Sequence, residues 1–229
     1  MKSKLPNISN FHQSWEESQD KLISSLTTQP LVIVLRLSQN DLEESSINGL
    51  LLIINKLKEL GVRNIEIAWS PHKNWVYIIR EVRKNVGSIS FGAASVNNLR
   101  ALDTIKELGF SYAMSPYLDL SLQSKAKELG QLIVPGVLSL TEVQQAICFG
   151  FRIIKLFPAS ILGIKYLKQI QCHVTPAPFV IAAGGMKSID LNTWLSKSCN
   201  AIALGRELIQ NNEIDPLLER WLKSKYIKN

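Results

Sequence analysis

"LKELGVRNIEIAW", residues 57–69, runs from Lys-Glu-Leu into a glycine and directly on into an apolar segment. The same order returns in "IKELGFSYAM" (105–114) and "AKELGQLIV" (126–134), and "AICFGFRIIKLF" (146–157) repeats the logic with Gly150. A glycine at a helix end accepts the left-handed backbone that closes the helix, so each unit reads as helix, C-cap and strand. The four caps are Gly61, Gly109, Gly130 and Gly150.

Working outward from these units, predicted strands fall near 31–36, 62–69, 88–93, 110–114, 131–135, 152–157, 178–183 and 200–204, with helical patterns between them. In "DLEESSINGLLLIINKLKEL" Asp41 is the expected N-cap. A further helix near 10–27 precedes the first strand, and another ends the chain. Mostly apolar strands alternating with helices imply an α/β protein whose parallel sheet is covered on both faces. Eight such units imply a closed (β/α)8 TIM barrel, here with an extra N-terminal helix. An open doubly wound sheet is the alternative, but the first βα junction, "VLRLSQNDLEE", lacks the G-x-G-x-x-G of a dinucleotide fold. No linker interrupts the pattern, so residues 1–229 are expected to form one TIM-barrel domain, an ordinary size for this architecture.

The formal charge is +7, but the basic residues are interleaved with acidic ones, as in "NKLKELGVR" and "IREVRKN". No nucleic-acid motif accompanies them, so they read as a solvated basic surface that draws in anionic substrates. The first twenty residues lack the apolar core of a signal peptide, and the longest apolar run, "LLLII" at 50–54, is far too short to span a bilayer. Neither nucleic acid nor membrane is an expected partner. Cys148, Cys172 and Cys199 follow no pairing pattern, which fits a reducing cytoplasm and neither a disulfide framework nor a zinc site. His12, His72 and His173 are equally dispersed, so no metal or other cofactor is expected.

Three charged residues fall where a barrel keeps its catalytic groups, at the C-terminal ends of strands. Arg36 ends "LVIVLR", Glu66 lies within "NIEIAW", and Lys155 lies within "RIIKLFP". Alternation places Glu66 with Asn64 and Ala68, and Lys155 with Ile153 and Phe157. A buried structural ion pair, or a lysine turned to solvent, is the bland reading of any one of them. The convergence of three favours chemistry. A lysine among apolar groups loses part of its charge near neutral pH and can attack a carbonyl. A carboxylate beside it can move protons to and from the resulting adducts, and an arginine can orient that carboxylate or a substrate anion. Together they are the equipment of a Schiff-base lyase that needs no metal.

A series of short motifs extends this reading: "VIVLR" (32–36), "GVRNIEIAW" (61–69), "FGAASV" (91–96), "YAMSP" (112–116), "IVPGV" (133–137), "IIKLFPAS" (153–160), "AAGGM" (182–186) and "ALGREL" (203–208). In their order and spacing they resemble the bacterial 2-keto-3-deoxy-6-phosphogluconate (KDPG) and 4-hydroxy-2-oxoglutarate (KHG) aldolase family. The resemblance implies a class I aldolase on a trimeric (β/α)8 barrel, releasing pyruvate and an aldehyde. It places the Schiff-base lysine on Lys155, the general acid/base on Glu66, and a hydroxyl for the keto acid's carboxylate on Ser95. Phe157 and Pro158 match the apolar floor beside the lysine, and Pro116 the turn after the fourth strand. Several positions depart from the family pattern. Ser70 stands where an arginine is usual, Ala183 where a threonine is common, Ser160 where a glutamate is usual, and "GAASV" where the family has "GAGTV". The imine-forming core survives while the residues that recognise the substrate differ.

"IAAGGMKSIDLNTWL" and "IALGRELI" each read as strand, glycine, helix. In phosphate-binding barrels such junctions cradle the anion, which makes Gly184, Gly185 and Gly205 candidates, with Arg206 adding charge. Tight βα turns also require glycine for their own sake. The expected ligand is a small phosphorylated keto acid, and the alternatives are another phosphate-binding barrel enzyme or a barrel that only binds a keto acid or phosphate.

Overall fold

Each glycine cap adopts the conformation its position demands: φ is 75° at Gly61, 68° at Gly109, 66° at Gly130 and 106° at Gly150. Every one hands its helix to a strand of a parallel barrel. The computed structural model describes residues 8–43, 47–86, 89–205, 208–210 and 213–226, with the backbone alone at 8–13 and 210. The barrel strands are β1 (Leu31–Leu35), β2 (Asn64–Ala68), β3 (Ser90–Ala94), β4 (Tyr112–Met114), β5 in two pieces (Ile133–Val134 and Gly136–Val137), β6 (Ile153–Leu156), β7 (Phe179–Ala183) and β8 (Ala201–Leu204).

The hydrogen-bonded order runs from the first piece of β5 through β4, β3, β2, β1, β8, β7 and β6 to the second piece of β5. The two ends of the sheet are therefore halves of one strand. Pro135 divides them because it has no N–H to donate to a ladder. Its first half pairs with β4 and its second with β6, where Lys155 N–H donates to Pro135 O at 3.0 Å. The chain itself closes the (β/α)8 barrel.

The helices are α1 (Ile8–Thr28), α2 (Ile47–Glu59), α3 (Trp75–Val86), α4 (Leu99–Glu107), α5 (Leu120–Glu128), α6 (Leu140–Phe149), α7 (Ala159–Gln171), α8 (Leu191–Lys197) and α9 (Pro216–Tyr226). Side-chain caps start several of them: Asn98 on α4, Asp119 on α5, and a Ser139–Glu142 capping box on α6. Asp41 is not the N-cap of α2. It sits in a 3-10 turn, Asn40–Leu42, and accepts from the backbone N–H and hydroxyl of Ser38, both at 2.7 Å. A nearer donor pair captured the carboxylate.

The second correction concerns "IALGRELI". After β8 the described residues form a short antiparallel pair, β9 (Ile209–Gln210) with β10 (Glu213–Ile214), in place of the expected helix. Ile209 and Ile214 stand opposite each other in it and both pack on the core, a pairing that favours β-branched side chains.

The extra helix α1 lies across the end of the barrel where strands begin. Gln19 donates to Gly150 O at 3.3 Å and accepts from Arg152 N–H at 2.8 Å, just before β6. Gln29 does the same for Gly61 O and Arg63 N–H, just before β2, at 2.9 and 2.8 Å. Trp15 is buried edge-on against Phe149 and Phe151. One end of the barrel is thus sealed, and the opposite end is left for a site. Among the described residues no helix is long and apolar enough to cross a membrane.

Candidate active site

At the C-terminal ends of the strands lies a cavity of about 380 Å³. Small side chains make the room, with Ala94, Ala183 and Ala203 on its wall beside Val34 and Met114. Arg36, Glu66, Ser95, Lys155, Phe157, Gly184, Gly185 and Gly205 also line it, so with Met114 strands 1, 2, 3, 4, 6, 7 and 8 contribute to one space. Arg206 lies outside the described residues. Pro116 is not part of the lining: its carbonyl packs on Gly136, where any β-carbon would overlap it.

Lys155 and Glu66 are the buried charged pair, 7% and 1% exposed. Burial pushes the lysine down from 10.5 to about 8, opposed by the charge of Glu66 and assisted by that of Arg36. Burial pushes the Glu66 carboxyl up from 4.5 to about 7, opposed by Lys155, the Tyr112 phenol and Arg36. Both shifts run toward the neutral range, the condition that an amine nucleophile and a proton-transfer carboxyl each require. The Lys155 ammonium stands 5.1 Å from the centre of the Phe157 ring, an apolar neighbour that tolerates a cation.

Nearer the mouth, Arg36 Nη1 donates to Ser95 Oγ at 3.2 Å. Ser95 has φ 63°, the one left-handed non-glycine among the described residues. Such a conformation costs roughly 1–3 kcal/mol and persists where the surroundings enforce it. Here it turns the chain at the end of β3 with the hydroxyl on the cavity. Gly184 and Gly185, at φ 90° and 73°, are required by both backbone and space: a β-carbon on Gly184 would lie 2.8 Å from the Phe157 ring, and one on Gly185 would strike Ser160 Oγ. Gly205 differs, since a β-carbon there would meet Val34 O at an ordinary 3.5 Å.

Residues 22–217 match the family described as Aldolase: KDPG and KHG aldolase. The chain belongs to the KDPG and KHG aldolase family. Relatives in this family are named aldolases, which are lyases. The 2-dehydro-3-deoxy-6-phosphogalactonate aldolase of Escherichia coli is 26% identical over 117 residues, 51% of this chain and 57% of that relative's length. A probable 2-dehydro-3-deoxy-6-phosphogalactonate aldolase of Rhizobium meliloti is 26% identical over 181 residues, 79% of this chain and 82% of its own. In three dimensions the KDPG aldolase of Legionella pneumophila, solved with pyruvate captured as a covalent carbinolamine, superposes with a TM-score of 0.74 at 19% identity, covering 89% of this chain and 97% of that one. That likeness is one of fold.

The loop after β2 is held by bonds to its own backbone. Ser70 Oγ accepts from His72 N–H at 3.2 Å, and His72 Nδ1 from Asn74 N–H at 3.3 Å. Ser70, His72 and Lys73 are all absent from the cavity lining, so no cation from that loop reaches it. Two features escaped the sequence reading. Lys187, on the loop after β7, lines the cavity. Tyr112 lies fully within the barrel with its phenol close to Glu66, and burial, followed by the charge of Glu66, pushes that phenol well above its ordinary range. The available signal was Gly92, a glycine inside a strand, which marks a close approach. Among the described residues no three His, Cys, Asp or Glu side chains come together as metal ligands. Cys199 is a poor nucleophile, because burial raises its thiol to about 12.

Proposed function

We propose that this protein is a class I aldolase acting on a 2-keto-3-deoxy-6-phosphogluconate or 4-hydroxy-2-oxoglutarate type of substrate. The observation that carries the reading is the enclosure of Lys155 and Glu66 in one cavity, each shifted toward neutrality by burial. The neutral amine of Lys155 attacks the ketone, and loss of water from the carbinolamine gives a protonated imine. Glu66 takes the proton of the substrate hydroxyl two carbons from the imine carbon. The intervening carbon–carbon bond breaks, an aldehyde leaves, and its electrons pass into the iminium to form an enamine. Glu66 returns the proton to the enamine carbon, and water releases pyruvate and free Lys155. Arg36 and Ser95 hold the carboxylate beside the imine. Gly184, Gly185 and Gly205, with Arg206, receive a phosphate at the far end. The carbinolamine captured in the Legionella pneumophila relative is in keeping with this sequence of steps. We extend the family resemblance to a homotrimer in the cytoplasm, which light scattering and fractionation test.

The deciding experiment is incubation with pyruvate and borohydride, followed by intact mass and peptide mapping. The expected adduct lies on the fragment containing Lys155, Leu156 and Phe157. An adduct on a different lysine, or none, overturns the mechanism.

A further inference from the structure

Tyr112 raises a question that the reaction does not answer. It is 2% exposed, does not line the cavity, and its hydroxyl has no partner within strict hydrogen-bond geometry, although Glu66 lies close by. A phenylalanine would fill the same space without burying a hydroxyl, and a buried hydroxyl left unpartnered is costly. Glu66 presents the complementary problem, because its Oε1 is also buried without a partner.

The register joins the two. Glu66 on β2 pairs with Gly92 on β3, and Gly92 pairs with Tyr112 on β4, so the three form one row across the barrel. A β-carbon on Gly92 would sit 2.8 Å from the Tyr112 oxygen and closer still to its ring. The ring therefore lies across the glycine, in the gap between its own strand and that of Glu66. A carboxylate can only accept, and the buried phenol keeps its proton, so the bond has one direction.

We propose that the Tyr112 hydroxyl donates to the Glu66 carboxylate through the gap left by Gly92, making Tyr112 the positioning residue that holds the proton-transfer group in its basic form. This rests on the aldolase reading of the same site. The charged and titratable groups facing Glu66 are Arg36 from β1, Tyr112 from β4 and Lys155 from β6, while β3 offers only Gly92. The two cations are shared with the substrate's carboxylate and imine. The phenol lies off the cavity, so it serves Glu66 in every state of the reaction.

The test is a carbon-13 NMR titration of the glutamate carboxyls, with Glu66→Gln identifying the Glu66 signal, in the parent protein and in Tyr112→Phe. Losing a donor to the anion raises the carboxyl midpoint, by about one pH unit for a charge-assisted bond. Below the parent midpoint the basic form, and with it pyruvate deuterium exchange, should fall about tenfold. A ring-fluorinated tyrosine at 112, a stronger donor of nearly the same shape, should move the midpoint down. A midpoint that is unchanged or lower in Tyr112→Phe, or unmoved by fluorination, overturns the proposal. Borohydride trapping on Lys155 reports separately on the aldolase reading, so failure of one is distinguishable from failure of the other.

Discussion

Replacing Glu66 by glutamine should change the two halves of the reaction in opposite directions. With Lys155 at about 8 against 10.5 for an ordinary lysine, about 9% of the amine is neutral at pH 7 instead of about 0.03%. Glu66 is the one group holding that value up, since burial and Arg36 both push it down. Glu66→Gln removes the attraction while keeping the shape, so the Lys155 midpoint falls further and its neutral fraction grows. Because about a tenth is already neutral at pH 7, the gain is capped at about elevenfold. Proton transfer, meanwhile, should lose about 10²–10⁴-fold. The assay is the rate at which an amine-reactive reagent modifies Lys155 between pH 6 and 10, followed on its peptide, beside pyruvate deuterium exchange in the same samples. The parent protein should show a modification midpoint near 8. A midpoint near that of a solvated lysine, or one that rises in Glu66→Gln, would refute the claim that burial sets this amine.

Exchanging both buried charges, Lys155→Met with Glu66→Gln, should stabilise the fold at neutral pH by about 1–3 kcal/mol, because their desolvation outweighs their attraction. A lower melting temperature by calorimetry would contradict that. Gly184→Ala should lose about 1–3 kcal/mol, having both a positive φ and the Phe157 ring against it, whereas Gly205→Ala should stay within about 0.5 kcal/mol; equal urea midpoints for the two would be the contrary result. Ser95→Ala removes a hydroxyl that accepts from Arg36 and should weaken pyruvate about fivefold in trapping titrations, with the Lys155 midpoint unmoved.

Much of this was legible in the chain because it follows from local rules. The left-handed turn that Gly61, Gly109, Gly130 and Gly150 supply is a property of one residue, and it fixed where helices pass into strands. The two-residue period placed Glu66 and Lys155 on one side of their strands, and both line the cavity. What escaped depends on neighbours distant in sequence. Tyr112 meets Glu66 only through the register of three strands, and a stepwise reading sees an aromatic in an apolar run. The strand expected at 131–135 continues past Pro135 to Val137, because its second half finds a different partner, a pairing distant in sequence. Asp41 and Ser70 were taken by backbone N–H groups close by, which a motif cannot show. Lys187 reaches the cavity only through the path of the loop after β7, which no local pattern in the sequence marks.

The clamp formed by α1 also sets a timetable. Gln19 finds its partners 131 and 133 residues further along, at the root of the strand that carries Lys155. At 5–20 residues per second a ribosome needs on the order of ten seconds to make that stretch. Throughout that interval the front of α1 has emerged, yet Trp15 lacks Phe149 and Phe151, the rings that later pack on it. Strands 1 to 4 can pair in sequence as they appear, but the helix beneath them waits. The nascent chain is therefore most exposed to misassociation at its earliest helix, and a holding chaperone would find its apolar face there. A helix made early waits for a strand made late.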